Sequence, residues 1–155
     1  MATSAVPAAI DALIEILHGA GVLAQVRIID GPPGINFTET DRIYVGWSST
    51  GDQAADITQA FASAGARTRD EDASISCYVE SRSGSTNMRE RRLRVFEILA
   101  VVEEALRATN AAPAAPTLGG AVLWSDLTAA GLDQHQTDTG AMAGLAFTVH
   151  TRARI

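Results

Sequence analysis

The strongest constraint on this chain is a change of hydrophobic period on either side of residues 80–86. Before it, Ile75, Cys77 and Val79 alternate with Ser74, Ser76 and Tyr78, the period of a half-buried strand. After it, residues 87–109 carry a helical period. Projected at about 100° per residue, Val95, Ile98, Leu99, Val101, Val102, Ala105 and Leu106 share one wide arc. Glu90 with Arg94 and Glu103 with Arg107 are i,i+4 pairs in the favourable order.

The rest of the chain adds a second helix and more strands. Val6, Ile10, Leu13 and Leu17 lie on one helical face within residues 4–18, with Ser4 placed to cap it and Pro7 in its first turn. Residues 24–30 and 42–47 read as strands, separated by the turn Asp30-Gly-Pro-Pro-Gly34 and a polar loop to about Asp41. Residues 55–64 are ambiguous between helix and strand, and a hairpin with 72–82 is preferred. The Pro/Ala connector 110–117 breaks the long helix, and strands follow at 121–127 and about 143–153. The segment 128–140 is polar without a clear period, and the last strand is expected at a sheet edge, open to another chain. The predicted fold is α+β, a mainly antiparallel sheet with two helices packed on one face, in the order α-β-β-β-β-α-β-β. The 155 residues suit a single domain over 1–155, since the 38 residues after the connector are too few to fold alone.

Composition narrows function by exclusion. The 12 basic residues are all Arg, and 18 acidic residues give a net charge of −6. An acidic chain without a basic tract is poorly suited to gripping duplex DNA. No apolar run is long enough to span a membrane, and the first residues lack the pattern of a signal peptide. The single Cys77 excludes an internal disulfide framework and a cysteine metal cluster.

The sequence carries no catalytic constellation. The chain lacks a Walker-type Lys, a dinucleotide fingerprint and a G-x-S-x-G elbow. His18, His135 and His150 are too far apart for a helix-borne metal pair. His135 near Asp133 and Asp138 is read as solvated loop, His150 as exposed on its strand, and Cys77 as a buried thiol. An enzyme would need Cys77, Glu80 or His135 to converge in one pocket. The expectation is therefore no catalytic, cofactor-binding or metal site and no cofactor.

One feature exceeds this bland reading. Leu93 and Phe96 project about 60° apart on the charged face of the long helix, opposite the apolar arc. They need a second cover, either the Pro/Ala connector or another subunit. Arg91 and Arg92, in the Arg89-Glu-Arg-Arg92 cluster, oppose the helix dipole and so call for carboxylate partners elsewhere, in this chain or a neighbouring one. Leu93, Phe96, Arg91 and Arg92 are the candidate subunit interface.

Several segments resemble the tail terminator and tail-completion proteins of siphovirus-type bacteriophages, also described as minor tail or head–tail joining proteins. They are Asp30-Gly-Pro32, Tyr44-Val-Gly46, Gly65–Glu71 leading into Ile75-Ser-Cys77, and Arg91 with Phe96-Glu97. Leu118-Gly-Gly120 with Leu123-Trp124, Gln136–Gly140, and Phe147-Thr-Val149 with Arg152-Ala-Arg154 complete the set. Together they run in order along nearly the whole chain; residues 51–64 depart from the pattern. The resemblance implies a non-enzymatic virion protein forming a ring, commonly hexameric, at the head-proximal end of the tail, assembled in the host cytoplasm. Its implied partners are copies of itself, the tail tube protein and head–tail connector proteins, with DNA passing through the channel unbound. A head–tail connector docking on the portal side is the alternative. In the ring reading, the polar loops 31–41 and 128–140 supply contacts along the axis, through Asp30, Pro32, Asp133, Gln136 and Asp138.

Overall fold

The computed structural model describes residues 3–34, 38–51 and 53–155. The middle of the expected 31–41 loop, residues 35–37, lies outside them. Helix α1 (Val6–Gly19) is followed by a 3-10 turn (Gly21–Leu23) and strands β1 (Arg27–Asp30), β2 (Asp41–Val45), β3 (Ala55–Phe61) and β4 (Arg69–Arg82). Helix α2 (Met88–Ala105), a second 3-10 turn (Ala115–Thr117), β5 (Trp124–Thr137) and β6 (Gly140–Arg154) complete it. The six strands form one sheet, ordered β1-β2-β4-β6-β5, with β3 beside the first half of β4. Every pairing is antiparallel except β1 with β2.

The alternation in β4 and β6 builds the core directly. Ile75, Cys77 and Val79 of β4 face the helices with Leu145, Phe147 and Val149 of β6. Val95, Ile98, Leu99 and Val102 of α2 and Leu13 and Leu17 of α1 close over them. Each such buried aliphatic contributes about 1.5–3 kcal/mol, which is how a core with few aromatics holds. Both helices cover the same face, as the sequence predicts.

Local chemistry sets the helix ends. Asn87 caps α2, its Oδ1 accepting from the Glu90 backbone N–H at 3.3 Å. At α1 the Ser4 Oγ accepts from the Val6 N–H at 3.1 Å, and Glu71 of β4 accepts from the Ala5 N–H at 3.0 Å. The helix dipole favours a carboxylate there, and Glu71 is 1% exposed. It also accepts from Gln59 Nε2 at 2.5 Å, so α1, β3 and β4 are tied at one point.

The opposite face of the sheet carries its own apolar cluster. Tyr44, Tyr78 and Trp47 pack with ring centroids 4.9–6.2 Å apart over Ile29 and Ala146. Room for the Tyr78 ring exists because residue 144 is glycine: a Cβ there would lie 1.8 Å from the phenol oxygen.

Three expectations are corrected. Residues 128–137 are strand, the greater part of β5, not a loop. The last strand, β6, lies inside the sheet between β4 and β5, so the edge on that side belongs to β5. The strand expected from residue 121 begins at Trp124.

Candidate functional site

The arginines at the start of α2 find their partner within the chain. Asp41, at the start of β2 and 9% exposed, accepts from Ser81 Oγ at 2.6 Å and from Arg94 Nε at 2.8 Å. Arg91 Nη1 lies 3.9 Å from the same carboxylate and donates to Ser81 Oγ at 2.8 Å. Asp41 therefore offsets the unfavourable dipole and clamps α2 to β2 and β4. Its hydrogen bond is the main reason the Arg94 guanidinium is held above its ordinary pKa. Arg94 also reaches Glu97 at 3.4 Å, in place of the expected pairing with Glu90. Arg92 turns the other way and donates to Gln134 of β5 at 2.8 Å.

Leu93 and Phe96 remain 49% and 47% exposed. The Pro/Ala connector does not cover them; it packs instead beside Ile16 and Ala105, around a small apolar cleft of about 290 Å³. Leu132 of β5, 39% exposed, extends the patch. It is two residues from Gln134 on the helix-facing side, and Phe96 is one turn beyond Arg92, which bonds Gln134.

The open face of the sheet is laced with ion pairs. Arg154 donates to Asp70 at 2.7 Å, Arg152 to Asp72 at 3.1 Å, and Glu80 accepts from Arg42 at 3.4 Å and Arg82 at 2.9 Å. The Arg154 hydrogen bond is the main cause that holds the Asp70 carboxyl below its usual pKa, while Glu80 holds Arg82 above its own. His150 is half-buried here rather than exposed as expected, with Nε2 3.6 Å from Asp72 and its ring 5.1 Å from that of Trp124.

The residues an enzyme would need do not meet. Cys77 faces the helices, where burial pushes its thiol up to about 12. Glu80 and His135 face the opposite side of the sheet, as their cross-strand partners Arg42 and Met142 require. Among the described residues no group of three or more His, Cys, Asp or Glu could hold a metal ion. The proposed axial contacts are scattered as well. Asp30 ends β1, Pro32 lies in the exposed turn after it, Asp133 and Gln136 sit on β5, and Asp138 lies in the turn before β6.

With this geometry, the chain is similar in fold to a chain of the virion of a native gene transfer agent particle. The superposition covers 99% of this chain and 100% of that one, with a TM-score of 0.64 and 12% identity. At that identity the likeness shows the fold alone. No family model matches the chain, and no curated protein does.

Sequence reasoning found the Leu93/Phe96 patch but missed Leu132, Asp41 and the exposed Ile57 and Phe61 of β3. The signal for Asp41 was its place just before an apolar strand, where a carboxylate meets the row of arginines on α2.

Proposed function

We propose that this chain is a structural subunit of a phage-like virion, forming a ring, most simply a hexamer, that caps the tail tube, stops its polymerisation and joins tail to head. The observation that carries this reading is the end-to-end match in fold to a chain of a gene transfer agent virion. The resemblance of short segments to tail terminators points the same way. Leu93, Phe96 and Leu132 supply an apolar surface at one side of the molecule, suited to the heterologous contacts from which rings close. Arg91 is taken up by Ser81 and Asp41, so its role is to set the angle of α2, whereas Arg92 lies at the rim beside Gln134. The paired arginines on the open face leave little free positive charge to hold DNA in transit.

The test combines light scattering and negative-stain imaging of the purified chain, alone and with polymerising tail tubes. Rings and tubes of limited length are expected. A monomer that leaves tube growth unchanged overturns the reading. Deletion of the gene separates the two virion roles: overlong tails mark a missing terminator, and full heads with normal-length free tails mark a missing connector.

A further inference from the structure

Among the described residues the outer sides of β1, β3 and β5 are unpaired, and the edges of β1 and β5, at the two ends of the main strand order, are complementary. Strands β1 and β5 are outermost, and no described residue pairs with the outer side of either. The registers place Ile28, Ile43, Val79, Leu145 and Leu132 level across the sheet on the helix-facing side. One position along, Arg27, Arg42, Glu80, Gly144 and Asp133 lie level on the open side. At the same height, then, each edge presents an aliphatic side chain to one layer and a charge to the other, and the two charges are opposite. Arg27 is half exposed, with Glu39 at 3.9 Å among its contacts. Among the described residues Asp133 accepts from the Ser49 hydroxyl, at 3.5 Å. Beside β1 a cleft of about 550 Å³ runs along residues 24–28, between His18 and Glu39.

The β5 edge is only lightly guarded. Natural proteins protect long edge strands with charged residues, proline or bulges; β5 has two aspartates and one bulge in fourteen residues, but neither Arg, Lys nor Pro. A bulge between Leu127 and Ala129 interrupts it once, leaving 129–137 as a regular run. The strand senses fit as well: β1 runs opposite to β4 and β5 runs with it, so edges of two copies pointing the same way meet antiparallel.

We propose that the β5 edge of one copy pairs with the β1 edge of a second copy, setting Leu132 against the partner's Ile28 and Asp133 against the partner's Arg27. This rests on the self-assembling reading above and names the surface through which the ring closes. The sheet continues from copy to copy, and the Leu93/Phe96 patch lies beside the seam.

The test is a charge exchange read by sedimentation velocity, with circular dichroism to verify folding. Asp133→Arg and Arg27→Asp are each expected to weaken self-association roughly tenfold or more, and the double variant to restore most of it. Leu132→Lys, an exposed position, is expected to give the same loss. Single variants that assemble like the wild type, or a folded double variant no better than the singles, overturn the pairing while the ring itself stands. Hydrogen exchange in residues 129–137 that slows only when tail tube protein is added assigns the edge to the tube and also overturns it. A wild-type chain that stays monomeric even with tubes present overturns the ring and this pairing together.

Discussion

At the residue scale, two positions far apart in sequence decide how the sheet carries its layers. Gly144 leaves the space that Tyr78 fills, and a Cβ there would also come within 2.3 Å of the ring carbon bearing the hydroxyl. Gly144→Ala must therefore displace the Tyr78 ring from the Tyr44–Trp47 cluster. Overpacking of this kind costs about 1–3 kcal/mol, and a lowered urea midpoint with unchanged slope is the expected result. Asp41 is the second position. Asp41→Ala removes the carboxylate that Arg94 and Arg91 share, leaving Arg94 the exposed Glu97, and losing hydrogen bonds to a charged partner costs about 1.5–3 kcal/mol. Chemical denaturation checks the size, and a variant as stable as the wild type would show that the clamp on α2 is dispensable. The sequence did signal that the α2 arginines needed carboxylates. It could not say which, because Asp41 lies 53 positions before Arg94 and only the strand pairing brings it there.

At the element scale, legibility followed burial. Strands β4 and β6 sit inside the sheet with one face under the helices, so their alternation is written in the sequence. β5 is an edge strand, exposed along most of its length, and nothing selects an apolar residue at every second position. The bulge then reverses its parity: Leu127 faces the helices before it, Ala130, Leu132 and Gln134 after it. A search for a constant period fails on such a strand, which is why 128–140 read as loop. Helix α1 was legible from its apolar face, but its anchor was not, since Glu71 reaches the Ala5 N–H across 66 positions. Glu71→Ala is expected to speed backbone hydrogen exchange at residues 5–8 selectively, and exchange that rises uniformly would assign Glu71 to general stability instead. The open face gives a pH prediction. The Asp70 pKa is lowered from its ordinary 3.8, chiefly by the Arg154 hydrogen bond. Stability from this pair is thus fully present above that value and is lost as pH falls through the lower folded-state value. Thermal melts of Asp70→Asn should differ from wild type near neutral pH and converge with it in strong acid. A gap that persists unchanged at low pH would contradict the assignment.

At the scale of the whole molecule, one face of the sheet is spent on the core and the other on an aromatic cluster and paired charges, so what the chain has left for its neighbours lies at its sides. Phe96 is the sharpest probe of that division. It stands on α2 away from the buried arc of Val95, Ile98, Leu99 and Val102 and is 47% exposed. Replacing it with Asp removes no core contact of the kind whose loss costs several kcal/mol, and surface substitutions of this sort change stability by about 0.5 kcal/mol. In a seam between copies the same change buries a carboxylate against Leu93 and Leu132 without a partner, which is far more costly. Phe96→Asp should therefore keep the wild-type melting curve as a monomer and lose the ring in light scattering and images. A variant that unfolds would show that Phe96 belongs to the core. A folded variant that still assembles would move the seam away from this helix.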